Sequence, residues 1–238
     1  MSEVNTSSSL SLDRTTIRVI LLSYSSTYDR TQAGTVLRLA LYSLCLLYTS
    51  LAAQEPSLVS GLVLIDGGLV PNTPIADASG AGVAAALALR ITQLRDTYPS
   101  CQAYRDFWRT QPHFPAGEWN PWVEAFLDYE VGGDSPVQPK ASEAAVLADL
   151  REAFQPEAIN ERLKLIRVPT LLLRAENGFI PGQPPLFPDP LATQFQAYLP
   201  HIEDRKFPGT THYTIVLGER PAATISDLIC ELASRPRS

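Results

Sequence analysis

Short runs of aliphatic residues recur along the chain and alternate with polar or helix-forming stretches. Five of these runs predict β-strands, over residues 18–23 (RVILLS), 35–42 (TVLRLALY), 61–66 (GLVLID), 169–174 (PTLLLR) and 202–207 (IEDRKF). Continuous apolar strands are typical of parallel sheets that helical crossovers cover on both faces. Residues 45–54 and 221–235 have the composition of such helices. The pattern predicts an α/β fold with a mostly parallel sheet and flanking helices.

The stretch between the third and fourth predicted strands has a different character. It carries all three tryptophans and no strand pattern, and Pro and Gly residues separate its helix-forming patches. These patches are residues 82–98, 101–110, 120–131 and 141–154. We therefore predict a helical cap over residues 67–167, inserted into a core of residues 15–66 and 168–238. The polar, serine-rich residues 1–14 are expected to form a disordered tail.

The composition of the chain indicates which classes of binding partner to expect. The net charge of −6 argues against a nucleic-acid partner, and the apolar run over residues 39–53 is too short for the roughly 20 residues of a membrane span. The cysteines, Cys45, Cys101 and Cys230, have no CxxC spacing and favour a reducing, cytoplasmic location. A small apolar substrate or ligand fits this balance better than a polyanion or a membrane.

Three residues that could cooperate chemically follow predicted strands. Ser43 lies between the strand over residues 35–42 and the next helix, Asp66 ends the strand over residues 61–66, and His212 follows the last strand. Functional groups of parallel α/β sheets gather at the carboxyl ends of strands. A serine nucleophile needs a histidine base, and a carboxylate orients that histidine. The alternatives are an ordinary serine in an apolar helix and an aspartate that only forms a turn.

These segments, in their order and spacing, resemble the α/β-hydrolase superfamily, in the branch with a helical cap. Residues 41–68 look like the nucleophile, its helix and the next strand, residues 168–178 look like the strand and loop that often supply the acid, and residues 207–229 look like the histidine loop and closing helix. The resemblance runs from about residue 36 to the end of the chain. It implies a triad that needs no cofactor and no metal, with Ser43 as nucleophile, His212 as base, Asp66 as acid and the Leu44 N–H in the oxyanion hole.

The chain departs from the family pattern at three places. Leu41 and Cys45 occupy the glycine positions of the G-x-S-x-G elbow, where a strained turn leaves no room for side chains. The front of the sheet is truncated or diverged, and no His-Gly supplies the second oxyanion donor, which would impair activity. At the usual acid position stands Gly178, which leaves Glu176 as the reserve acid.

The resemblance leaves two classes of function open. In the first, the chain hydrolyses an apolar carboxylic ester or lactone, and cap aromatics face the substrate pocket; the candidates are Trp108, Trp119, Trp122 and Phe126. In the second, a non-catalytic homologue binds a small apolar ligand or a protein partner. A third hypothesis is that the N-terminal third is not native coding sequence. An exposed sheet edge would then favour a homo-oligomer.

Overall fold

The computed structural model of the protein describes residues 20–22, 43–69, 91–144, 146–147 and 161–235. The described strands are β1 (Ile20–Leu22), β2 (Leu62–Ile65), β3 (Val131–Gly132), β4 (Gln138–Pro139), β5 (Thr170–Ala175) and β6 (Ile202–Phe207). The described α-helices with defined bounds are α1 (Ser43–Gln54), α2 (Cys101–Arg109), α3 (Pro121–Glu130), α4 (Asp189–Tyr198), α5 (Thr214–Leu217) and α6 (Glu219–Ser234). Short 3₁₀ turns cover Pro56–Leu58 and Ala116–Glu118.

The main sheet is parallel and has the order β1-β2-β5-β6. Every residue of β2 and β5 is buried, as expected for central strands that are covered on both faces. Alternate side chains enter two cores: Leu62, Leu64 and Leu172 pack with residues of α1 and α4, whereas Val63 and Leu173 pack with residues of α6. This layering confirms the predicted α/β class and its mostly parallel sheet.

Four of the five predicted strands are present. The runs over residues 18–23, 61–66, 169–174 and 202–207 contain β1, β2, β5 and β6. The helices predicted over residues 45–54 and 221–235 correspond to α1 and α6. The strand predicted over residues 35–42 and the tail predicted over residues 1–14 lie outside the described residues.

The insertion between β2 and β5 contains α2 and α3, which begin at side-chain caps. The Ser100 hydroxyl accepts a hydrogen bond from the Ala103 N–H, and the Asn120 side chain accepts from Trp122 N and Val123 N. Both helices lie where the sequence predicts them. Of the other two patches, residues 91–93 and residues 143–144 and 146–147 are helical, and much of the remainder lies outside the described residues.

The insertion is not purely helical. β3 and β4 form an antiparallel pair directly after α3, with Val131 opposite Pro139. The chain reverses between them through Gly133, whose φ of +101° lies in the left-handed region that favours glycine. The prediction that this block contains no strand is wrong at this point, because strands of two residues are too short to show any periodic pattern.

A buried ion pair fixes the last two strands of the sheet. Arg174 on β5 is almost fully buried and donates from Nε and Nη2 to both carboxylate oxygens of Asp204 on β6, at 2.7 and 2.6 Å. Its Nη1 donates to the Phe187 carbonyl and to Asp189 at the start of α4. These hydrogen bonds, with that to Asp204 strongest, raise the pKa of Arg174 above its usual value. The guanidinium thereby joins β5, β6 and α4.

Candidate functional site

Asp66 stands at the end of β2 in a strained backbone conformation. Its φ is +46°, which non-glycine residues adopt uncommonly and which Asp tolerates better than most. The Asp66 N–H still donates to the Leu173 carbonyl at 2.7 Å, so the residue keeps its place in the sheet ladder. The side chain is buried, and its Oδ1 accepts from the Ala175 N–H at 3.0 Å. The turn therefore aims the carboxylate along the carboxyl edge of the sheet towards the end of β5.

His212 lies at the same edge, in the segment that joins β6 to α5. The chain leaves β6 through a turn at Gly209, whose φ is +73°. The His212 N–H then donates to the Gly178 carbonyl at 2.9 Å. Asn177 donates to the Thr210 carbonyl from both its backbone N–H and its side chain. The loop after β5 thus holds the histidine segment by its backbone.

Asp66 and His212 form a hydrogen-bonded pair. His212 Nδ1 lies 2.8 Å from Asp66 Oδ2, and both side chains are buried. Because the second carboxylate oxygen accepts from Ala175, the carboxylate is held in one orientation. An ionised Asp66 accepts the proton of Nδ1, which favours the tautomer with a basic Nε2. The sequence-predicted base and acid therefore meet in the arrangement that a general base requires.

Two buried threonines, Thr211 and Thr214, lie on either side of His212 and Tyr213 in the sequence. The Thr211 N–H donates to Thr214 Oγ1 at 2.8 Å, and the Thr214 N–H donates to Thr211 Oγ1 at 3.2 Å. This reciprocal pair resembles a capping box and satisfies N–H groups at the start of α5 that lack helical partners. These two hydrogen bonds fix the backbone of His212, which lies between the two threonines just before α5.

The reserve acid, Glu176, is used differently. Its side chain is exposed, and its Oε2 accepts from the Gly209 N–H at 2.7 Å, so it supports the turn that precedes the histidine. At Gly178, where the family usually places its acid, a Cβ atom would lie 2.7 Å from the Pro184 carbonyl oxygen. Any side chain at this position would force the loop to move. Of the two carboxylates considered, the one that bonds His212 is Asp66.

Ser43 and Leu44 are the first two residues of α1, and Cys45 is the third. Leu41 lies outside the described residues. The end of α1 connects through residues 55–61 to the start of β2, so the first residue of α1 lies towards the edge where β2 ends. Thr49 on the same helix donates from Oγ1 to the Gly68 carbonyl at 3.2 Å. The structure thus places Ser43 by its backbone, on a helix that touches the loop after Asp66.

Aromatic side chains contact the His212 ring on the side of the insertion. The Phe179 ring meets the His212 ring edge to face with centroids 5.2 Å apart, and Tyr213 lies next to both. Tyr213 is buried and also contacts Trp108 and Phe114 of the insertion. The cluster therefore runs without interruption from the histidine segment into the insertion.

The four predicted pocket residues occupy three environments. Trp108 and Phe126 are buried within the aromatic cluster. Trp119 is half-buried, donates from Nε1 to Glu124 and lies under the Arg109 guanidinium. This hydrogen bond and the neighbouring arginines lower the pKa of Glu124. Trp122 is 66% exposed on the outer side of α3.

Sequence reasoning missed Phe179 and Tyr213 as neighbours of the imidazole. The signal for Tyr213 was its position next to His212, and that for Phe179 was its place in the loop after a predicted strand. Over the described ranges, no group of three metal-ligating side chains is present. No described helix combines the length and hydropathy that a membrane crossing requires.

Comparison with solved structures relates the chain to several hydrolases. E-2-(acetamidomethylene)succinate hydrolase matches with a TM-score of 0.57 at 17% identity, over 77% of this chain and 62% of that one. A peroxisomal alpha-beta-hydrolase from Saccharomyces cerevisiae matches with a TM-score of 0.56 at 16% identity, over 82% and 52%. A putative hydrolase from Rickettsia typhi matches with a TM-score of 0.53 at 10% identity, over 79% and 60%.

The matches cover less than two thirds of the length of those proteins, and their low identities bear on the fold alone. No protein-family model matches the sequence, and no curated protein matches it either.

Proposed function

We propose that this chain, which has the α/β-hydrolase fold, is a serine hydrolase that cleaves an apolar carboxylic ester or lactone. Ser43 is the nucleophile, His212 is the general base and then the general acid, and Asp66 orients His212. The observation that carries the proposal is the 2.8 Å hydrogen bond between the buried His212 Nδ1 and Asp66 Oδ2. A buried pair of this kind at the carboxyl edge of a parallel sheet is the arrangement that activates a serine hydroxyl.

The reaction divides into two acyl transfers. Ser43 Oγ attacks the carbonyl carbon while His212 Nε2 takes the hydroxyl proton, and the Leu44 N–H donates to the oxyanion of the tetrahedral intermediate. The intermediate collapses when the C–O bond to the alkoxide breaks and His212 returns the proton to that leaving group. Water then attacks the acyl-serine with its proton passing to His212, and the acid is released as the serine is reprotonated.

The topology of α1 supports Ser43 as nucleophile. Ser43 begins the helix that follows the nucleophile in the family pattern, and this helix packs against β1 and β2. The Thr49 hydrogen bond to Gly68 joins the same helix to the loop that follows Asp66. These contacts support a site in which Ser43 approaches Asp66 and His212 at the carboxyl edge of the sheet.

The surroundings of His212 support an apolar substrate. Phe179 and Tyr213 flank the imidazole, and the cluster beyond them is aromatic. Apolar walls with few polar groups favour ligands that bury hydrocarbon surface.

The test is hydrolysis of p-nitrophenyl acyl esters of increasing chain length. Turnover should disappear in Ser43→Ala and in His212→Ala. Ser50→Ala is the matched control, because Ser50 lies on the same helix and its described side-chain contact is a long hydrogen bond to Arg162. Turnover that survives both Ser43→Ala and His212→Ala would overturn the proposal.

The second candidate is a non-catalytic homologue that binds an apolar ligand or a protein partner. It is favoured by Leu41 and Cys45, which replace the elbow glycines. This candidate predicts no ester turnover and a rise in melting temperature with short apolar esters or acids. The esterase assay separates the candidates, because ligand-dependent stabilisation without turnover favours binding alone.

A further inference from the structure

We propose that Asn120 of the insertion is a positioning residue for His212, so that the insertion takes part in setting the geometry of the general base. The inference rests on the proposed function insofar as it calls His212 a base. It concerns one hydrogen bond between the insertion and the segment that carries the histidine.

Asn120 uses both ends of its side-chain amide. Its Oδ1 accepts from Trp122 N at 2.8 Å and from Val123 N at 3.1 Å, which caps the start of α3. Its Nδ2 donates to the Leu217 carbonyl at 2.8 Å and to the Glu118 carbonyl at 3.1 Å. One side chain therefore begins a helix of the insertion and also binds the last residue of α5, 97 positions further along the chain.

Leu217 is coupled to His212 through two overlapping hydrogen-bonded turns, which cover residues 211–215 and 213–217. The Leu217 N–H donates to the Tyr213 carbonyl, and the Ile215 N–H donates to the Thr211 carbonyl. The carbonyl of Leu217 lies at the carboxyl end of α5, where carbonyls lack helical partners. Asn120 supplies a donor to this carbonyl, and α5 extends only about 6 Å along its axis. We infer that a rotation at Leu217 is transmitted to His212 through these two overlapping turns.

The insertion also lies close to the residue that follows α5. At Gly218, directly after α5, a Cβ atom would lie 2.6 Å from the Thr214 carbonyl oxygen and 3.1 Å from Glu118 Oε2. At the other end, the Tyr213 ring packs against Phe114 with centroids 5.3 Å apart. The insertion thus contacts the segment beside His212 and lies close to it again beyond Leu217, and Asn120 provides the directional polar bond between these two places.

The geometry gives this bond a specific consequence. The backbone of His212 is fixed on the core side by the Gly178 carbonyl, while α5 is fixed on the other side by Asn120. If the Asn120 bond is lost, α5 can rotate, and the Nδ1 to Oδ2 bond with Asp66 lengthens. The share of His212 with its proton on Nδ1 should then fall, because this proton is held by the Asp66 carboxylate.

Asn120→Asp separates the two uses of the side chain. Aspartate keeps an oxygen acceptor for Trp122 N and Val123 N, and it is a good N-cap. It replaces the amide donor by an oxygen that repels the Leu217 carbonyl. Ser100→Asp is the matched control, because it introduces the same charge at the N-cap of α2, in the same insertion. Ser100 has no described side-chain bond to the histidine segment.

The primary readout is the tautomer of His212, measured from its ring ¹⁵N chemical shifts. The chain has three histidines, and His212→Gln assigns the relevant signals. We expect the wild type and Ser100→Asp to hold the proton on Nδ1, and Asn120→Asp to shift towards the Nε2 tautomer. In the esterase assay kcat should fall about fivefold with little change in KM, as expected for the loss of one hydrogen bond that orients the base.

Asn120→Ser repeats the test without added charge, since serine also caps the helix but lacks the amide donor. Unchanged ring shifts and unchanged kcat in a folded Asn120 variant would overturn the inference. An equal shift in Ser100→Asp would also overturn it, because the effect would then be one of charge. If the wild type hydrolyses no ester, the proposed function fails, while the ring ¹⁵N shifts still decide the role of Asn120.

Discussion

Asp66 and His212 are 146 positions apart in the chain, and a hydrogen bond of 2.8 Å joins their side chains. Each follows a strand of the same parallel sheet, so the topology brings the two loops to one edge. Asp66 reaches the imidazole because its backbone turns into the left-handed region directly after β2.

Asp66→Asn should abolish most of the proposed activity. Asparagine keeps the shape of the side chain but cannot hold the Nδ1 proton as a carboxylate does, and a change of this type lowers kcat on the order of 10⁴-fold in a serine protease. The measurement is kcat for a p-nitrophenyl ester, with circular dichroism to verify folding. Glu176→Gln is the control and should lose less than about threefold, because its oxygen can still accept from Gly209. The reverse order of effects would assign the acid to Glu176.

Thr214→Val should destabilise the protein by about 1–3 kcal/mol. Valine matches the shape of threonine but leaves the buried Thr211 N–H without its acceptor, which lies at 2.8 Å. Urea unfolding measures the loss, and Thr214→Ser, which keeps the hydroxyl, should lose clearly less. Equal losses in Val and Ser variants would mean that packing of the methyl group, and not the hydrogen bond, stabilises this turn.

Asp204→Asn should lower the free energy of unfolding by about 3–5 kcal/mol, because it leaves the guanidinium of Arg174 buried without its bidentate partner. Asp128→Asn tests an ion pair with Arg105 that is more exposed, and it should cost less than about 1 kcal/mol. Denaturant titration of both variants gives the comparison. Similar losses would show that burial of Arg174 does not govern the contribution of its pair.

The stability of the protein should decline in acid as carboxylates that pair with arginine and lysine side chains become protonated. Hydrogen bonding to Arg235 lowers the pKa of Glu203, and hydrogen bonds to Lys206 and then Arg174 lower that of Asp189. A carboxylate whose pKa is lower in the folded state stabilises the protein above its unfolded pKa, and this stabilisation is lost as pH falls through the folded value. The decline should therefore begin near pH 4 and continue below it.

Melting temperatures between pH 7 and pH 2.5 measure this decline. The melting temperature of Glu203→Gln should fall less steeply at low pH than that of the wild type, because glutamine takes up no proton at that site. Glu176→Gln is a control, since Glu176 has no described ion pair. If Glu203→Gln and the wild type lose melting temperature equally at low pH, other carboxylates account for the proton uptake.

The parts of the fold that the sequence predicted are those decided by local pattern. β2 and β5 are continuous apolar runs, whereas β6, which was predicted with them, carries four charged residues and is only partly buried. The pair β3–β4 was missed, because two-residue strands depend on the turn between them and not on a hydrophobic period.

The candidate site was predictable to the same extent. Asp66 and His212 were found because each follows a strand, which is a statement about order along the chain. The contacts of His212 with Phe179 and of Asn120 with Leu217 depend on how distant segments pack, which no local pattern encodes.

The aromatic residues of the insertion differ in how far a local sequence pattern predicts their surroundings. Helical periodicity places Val123, Phe126 and Leu127 on the buried side of α3 and leaves Trp122 outside, so the exposure of Trp122 was accessible from spacing alone. The burial of Trp108 against Tyr213, by contrast, joins the insertion to the histidine segment. Such a contact can be recognised only when the positions of both segments in the fold are known.

The close approach at Gly178 restricts how this site can change over time. With the Pro184 carbonyl 2.7 Å from where a Cβ atom would be, no single substitution can return a carboxylate to that loop without displacing it. Loss of Asp66 therefore has no one-step remedy at the position that other members of the fold use. If Asp66 is the acid, the route between the two acid positions passes through a backbone rearrangement, so its use is difficult to reverse by point mutation.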